Sequence, residues 1–169
     1  MSAAQDPSDH HASAATHHEQ AAQFHRAASR HYQMGKDYAH AAHQAISAHG
    51  HALWALEQGQ AASAYYAEQA DSPLPSYVAR SLENATSTAV ATPRTLNGPA
   101  HHDVAADHHD AAGRHHLQAA AHRSAEHYIR ACHQTRNALD HGKHAIFHGD
   151  QAAKHYTEHY GSHPSAELV

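Results

Sequence analysis

The sequence predicts an all-α protein: a four-helix bundle built from two duplicated αα-hairpins joined by a long crossover linker. Three observations carry that expectation. Histidine, at 25 of 169 residues, recurs in columns with a seven-residue step, and seven residues are two helical turns. Alanine, the best helix former, fills the positions between, with Gln, Glu and Arg around it. Histidine is also missing from one proline-bearing stretch near the middle, which separates two halves of similar pattern.

The bulk composition narrows the class further. The chain has room for one domain. Leu, Ile, Val and Phe together make about a tenth of it, a level that points toward disorder. The formal net charge is only -5, however, so the charge half of that signature is missing. Lys and Arg number 11 against 16 acids, which leaves no basic footprint for nucleic acid. The N-terminus lacks the apolar core of a secretory signal, no apolar run reaches the length of a membrane span, and the lone Cys132 has no internal disulfide partner. These features suggest a cytoplasmic protein that engages neither nucleic acid nor membrane.

Asp6, Pro7 and Ser8 supply start signals for a first helix from about Asp9 to Met34. It carries His11, His18 and His25 in one column, with His10, His17, Phe24 and His31 in the next. Gly35, Lys36 and Asp37 read as a turn, with Asp37 capping a second helix that runs to about residue 70. That helix places His40, His43, His49 and His51 among alanines. Its Ile46, Leu53, Trp54 and Leu56 make it the most conventional core element, and Tyr65 and Tyr66 are expected to close the bundle with hydroxyls reaching water. Residues 9–70 thus form one hairpin.

The segment 71–99 brings Pro73, Pro75, Pro93 and Pro99 and reads as the crossover, with a short helix over 76–91. Were histidine richness a mere compositional habit, this segment would share it. The second hairpin, 100–161, opens with a helix after Asn97, Gly98 and Pro99 that continues to about Arg130. It bears His101, His108, His115 and His122, with His102, His109 and His116 in the adjacent column. A turn is expected between residues 131 and 137, capped by Asn137. The fourth helix then carries His141, His144, His148, His155 and His159 with Leu139, Ile146, Phe147 and Tyr156 out to Gly161, followed by a tail at 162–169. The duplication shows in HEQAA at 18–22 against HDAAG at 109–113, and in HRAASRHY at 25–32 against HRSAEHY at 122–128. His49-Gly50-His51 matches His141-Gly142-Lys143-His144, and Gln60-Ala61-Ala62 matches Gln151-Ala152-Ala153.

Neutral imidazole suits copper, zinc, nickel and cobalt, and histidines three or four apart can reach one ion from one helix. His40 with His43, His141 with His144, His144 with His148, and His155 with His159 have that spacing. Members of one seven-step column stand about 10 Å apart, far more than metal–nitrogen bonds of about 2 Å allow, so they must find partners on other helices. If the first and third helices face each other, His11, His18 and His25 meet layers of His101, His108, His115 and His122. The tyrosines read as core and rim packing, and Met34 and Cys132 as ordinary burial. No Glu-x-x-His, HExxH, C-x-x-C or P-loop motif occurs. A redundant array with no distinguished member argues for capacity and against an enzyme.

His17-His18-Glu19-Gln20-Ala21-Ala22 and the His49-Gly50-His51 segment resemble those of small bacterial His/Ala-rich proteins built from HHxxAAxxH repeats, over both helical halves. In architecture the expected bundle is similar to the copper storage proteins, whose inward cysteines hold many Cu(I) ions; this chain has histidine in their place. The residues point to non-catalytic storage, buffering or sequestration of several transition-metal ions, copper first, then zinc, nickel or cobalt. The alternative is a metal-free helical interaction module whose histidines act as a pH switch. Either reading leaves room for a homo-oligomer, and the first for a protein that donates or accepts the metal.

Overall fold

The computed structural model describes residues 6–35, 37–69 and 96–160. They form four long helices, α1 (Pro7–Met34), α2 (Tyr38–Gln69), α3 (Gly98–Ser124) and α4 (Tyr128–Tyr160). The linker helix expected over 76–91 and the tail at 162–169 lie outside the described residues. Helix α1 packs on α2 and α3, and α4 on α3 and α2, so each helix has two antiparallel neighbours around a square. Helix α2 ends at one end of the bundle and α3 begins at the other. No helix among the described residues is long and apolar enough to cross a membrane.

Local chemistry fixes the ends. The Asp6 carboxylate accepts from the Ser8 N–H at 2.8 Å with Pro7 opening α1, and the Asn97 side chain accepts from the Ala100 N–H at 2.9 Å with Pro99 in the first turn of α3. Helix α3 therefore starts at Gly98 rather than after Pro99. Gly35 closes α1 with φ of 64°, and Asp37 caps α2 by accepting from the His40 N–H at 3.1 Å, as the sequence suggested.

The second turn is a correction. It falls at Ala125 to His127, ahead of the 131–137 window, and α4 starts at Tyr128. The chain reverses because Glu126 takes the left-handed conformation, φ 59°, while the His127 N–H donates to the His122 carbonyl at 2.8 Å. Glycine normally fills that position, so with glutamate there the sequence carried no mark.

The interior holds few of the large apolar residues. Ala41, Ala48, Ala55 and Ala62 on α2, and Ala131, Ala138, Ala145 and Ala152 on α4, form buried seven-step seams. The largest fully buried side chains include His11, His18, His102, His109 and His116. Helix α2 is not the conventional core element expected. Ile46 is 72% exposed, Trp54 58% and Leu53 48%, because the alanine seam, and not these residues, faces inward. Tyr66 is buried with its hydroxyl directed to His11, so it closes the bundle from inside.

The duplication is a pseudo-two-fold. His102, His109 and His116 stand where His11, His18 and His25 stand in the first half, and the His18/His109 pair lies on the axis. On the other two helices His51 corresponds to His141, Gly59 to Gly149 and Tyr66 to Tyr156. That register is slipped by one residue or more from the one read off the repeated strings, because the paired rings of the second hairpin, His108 and His141, are one residue closer in the chain than His17 and His51.

Replacing Glu126 by glycine relieves a left-handed residue that costs about 1–2 kcal/mol, partly offset by a more flexible unfolded chain. Urea unfolding of Glu126→Gly is expected to show about 1 kcal/mol of added stability; a lower midpoint would contradict the turn.

Candidate metal centre: the histidine ladders

Three ring pairs between α1 and α3 make the core. The Nδ1 atoms of His11 and His116 are 3.1 Å apart, those of His18 and His109 3.0 Å, and those of His25 and His102 3.0 Å. Between these rungs the rings stack, His116 on His18 at 5.5 Å between centroids and His109 on His25 at 5.4 Å. Tyr66 stacks on His11 at one end of the ladder and Tyr32 on His102 at the other. The column that faces α1 is thus His102, His109 and His116, not the predicted His101, His108, His115 and His122. The reason is rotational: the two columns lie about 100° apart on the helix, and only contact with α1 decides which one turns inward.

The other α3 column meets α4 in a second, half-buried ladder. His101 pairs with His148 at 2.9 Å and His108 with His141 at 3.0 Å, again Nδ1 to Nδ1. His115 stacks on His141 and bonds to Gln134 at 2.6 Å, and exposed His144 approaches His108 at 5.3 Å between centroids. On the α1/α2 side the equivalent ladder keeps one rung, His17/His51 at 3.1 Å; Phe24, Trp54 and Gln58 occupy the places of His115, His144 and His148. His17 and His51 were not among the candidate ligands. The column of His10 and His17 running beside His11 and His18 was the signal for them.

Other candidates stand apart. His40 and His43 are exposed and not brought together; His40 instead meets His31 edge-on at 4.5 Å. His122 is half-buried near His127. His155 and His159 stack at 4.0 Å, but the His159 Nδ1–H donates to the His155 carbonyl. Among the described residues no three His, Cys, Asp or Glu side chains converge to hold one ion as they stand. The ladders offer nitrogen in twos.

A proton must sit on one ring of each Nδ1 pair, and the network says which. The Nε2 atoms of His102, His109 and His116 are buried with no partner. A buried N–H without an acceptor is rarer than a bare lone pair, so these α3 rings carry the proton on Nδ1 and donate it to α1. The α1 rings then carry Nε2–H, and that of His11 donates to the Tyr66 hydroxyl at 3.2 Å or to Thr135 Oγ1 at 3.3 Å. Among the described residues no hydrogen bond links one core rung to the next, so the core ladder is a stack of separate pairs.

Burial keeps these rings neutral. Loss of solvation, followed by repulsion from a neighbouring imidazole, lowers His11, His18 and His102 to about 4, His25 to about 3 and His116 to about 2, with His109 well below its ordinary value. In the outer ladder His108 falls to about 4 through burial and then His141, His144 and His148. Glycines give the core rings room. A Cβ on Gly59 would stand 3.0 Å from His116 and 2.9 Å from Leu139, and one on Gly149 3.1 Å from His25.

No protein-family model matches this chain, and comparison with curated proteins and with solved structures finds no match.

Two predictions follow from the ladder. Gly59→Ala should lose about 1–3 kcal/mol by overpacking His116, although alanine is the better helix former, whereas Gly50→Ala, with open space around it, should gain about 0.5–1 kcal/mol. Equilibrium urea unfolding of both variants separates clearance from propensity. The acid response follows from the lowered values. The unfolded chain takes up protons near pH 6.5 and the folded core does not, so stability is complete above that pH and lost below it. One pH unit below costs between about 1 and 2 kcal/mol per ring, on the order of 8 for six, which rivals the whole stability of a domain. Helicity followed by circular dichroism should collapse between about pH 6 and 5, and His18→Leu with His109→Leu should move that midpoint lower; a cooperatively folded wild type at pH 4 contradicts the buried ladder.

Proposed function

We propose that this protein is a non-catalytic store or buffer for several transition-metal ions, copper first, held on its histidine rungs. The observation that carries the reading is the repetition of one contact: six imidazole pairs, each presenting two Nδ1 atoms 2.9–3.1 Å apart. With bonds of about 2.05 Å, that separation subtends about 95° at a shared ion, close to the right angle of tetragonal copper(II), whereas tetrahedral zinc asks for about 3.3 Å. In the outer rungs His17/His51, His101/His148 and His108/His141, each with at least one ring partly open to solvent, water completes the coordination.

In the dry core charge decides. A divalent ion would bury net charge at heavy cost. A copper(I) ion can instead take the place of the bridging proton as the two rings move apart toward its preferred linear geometry: the Nδ1–H bond of the α3 ring breaks, its proton leaves to water, and both nitrogens bind copper. The rung stays neutral, and the Nε2 of the α3 ring stays as it was. Zinc has no such monovalent form. The likeness to the copper storage bundles, on this reading, is one of architecture, with imidazole pairs in the place of thiolates.

Titration of chelator-stripped protein with copper, followed by native mass spectrometry, should give from two up to about six ions per chain, with thermal stability rising at pH 7.5. Fewer than two ions bound at micromolar concentration overturns storage.

A second reading, the pH-switched interaction module, draws support from the lowered proton affinity of the core rings, which makes the bundle acid-labile with or without metal. It expects no change in thermal stability between chelated and copper-loaded protein at pH 7.5.

A further inference from the structure

Among the described residues a cavity reaches the core ladder. It measures about 420 Å³, lies between α1, α2 and α4 near the Tyr32 end, and is lined by His25, Ala42, Ala45, His49, Gly149 and Asp150 among others. His25 is 2% exposed, and its Cε1–Nε2 edge faces Gly149 in the cavity wall. At the mouth, His49 Nδ1 and Asp150 Oδ1 stand 3.8 Å apart and are both solvent-accessible. One ion with bonds of about 2.0–2.2 Å can bridge them, with water filling its other positions.

The duplication supplies an internal comparison. The place equivalent to His25 is that of His116, seated against Gly59 as His25 is against Gly149. There the positions of Ala42, Ala45, Ile46 and His49 are taken by Cys132, Thr135, Arg136 and Leu139. Leu139 closes on Gly59, Thr135 is buried against His11, and His116 Nε2 is sealed from solvent. One half of the protein fills the space that the other half leaves open, and the open half alone carries the imidazole and carboxylate pair at its mouth.

We propose that this cavity is the port by which transition-metal ions reach the core rungs, His49 and Asp150 capturing the ion and the His25/His102 pair receiving it inside on its Nδ1 atoms. This rests on the metal-binding reading above and adds a route and two residues outside the ladders. Ions reach the outer rungs directly from solvent; the core rungs fill through the port. Loading therefore has a fast and a slow phase.

The test uses the full-length, chelator-stripped protein and copper(I) supplied from a colorimetric chelator, with uptake followed in time and ions counted at the end. In Ala45→Leu with Ala153→Leu, which narrows the cavity, the slow phase should lengthen roughly tenfold or more while the fast phase and the final count stay the same. In His49→Leu with Asp150→Gln, which installs the side chains found at the equivalent places of the other half, the slow phase should lengthen likewise. Circular dichroism checks that each variant is folded, and the mouth variant keeps the test alive if the filled one is not. Unchanged slow phases, or a single fast phase in the wild type, overturn the port while leaving metal binding in place. A wild type that takes up no copper removes the metal reading and the port together.

Discussion

The structure depends on one contact, the approach of two neutral imidazoles through their Nδ1 atoms across the α1/α3 interface. Elsewhere in helical bundles that space is filled by branched aliphatic chains, which need no partner and tolerate any pH. An imidazole there must stay uncharged and must share a proton with the ring opposite. The rest of the sequence accommodates this demand. Alanine seams on α2 and α4 bring the helices close enough to shield the rings, and glycines at 59, 142 and 149 clear space for ring edges that a methyl group would strike. The larger apolar residues stand on the surface because the interior is already occupied.

Sharing a proton also gives the core a direction. The α3 rings donate and the α1 rings accept, and the cost falls on three Nε2 lone pairs with nothing to bond to. Buried polar atoms without partners are uncommon in native proteins. Here they repeat at every core rung on the same helix, which marks them as a consequence of the design of the pair rather than a local defect. On the proposed reading, a monovalent ion would replace that bridging proton without a change of charge. Stability and the proposed chemistry therefore draw on the same atoms, and a core arranged for the second is fragile to acid.

The two halves share one pattern and differ in ways that matter. Around the axis through His18 and His109 the core rungs are kept intact in both. The outer ladder survives on the α3/α4 side, while on the α1/α2 side Phe24, Trp54 and Gln58 have taken three of its places. The cavity beside His25 shows the opposite asymmetry, open in the first half and filled by Leu139, Thr135 and Cys132 in the second. Symmetry is retained where rings meet rings and lost where the halves meet solvent.

Much was legible from residue order. The seven-step columns required helices and inward partners, the proline-bearing gap without histidine marked the division, and Asp6, Gly35, Asp37 and Asn97 marked helix ends, since caps and periodicity are local chemistry. Local chemistry does not say which of two neighbouring columns turns inward, so His102, His109 and His116 could not be told from His101, His108 and His115. It misplaced the last turn because Glu126 adopts a glycine-like conformation held only by its surroundings. It also assigned Ile46, Leu53 and Trp54 to a core that alanine and histidine already filled. Sequence determined that imidazoles would line helices at a fixed pitch; tertiary packing alone decided which rings pair, because that depends on the rotation and approach of helices far apart in the chain.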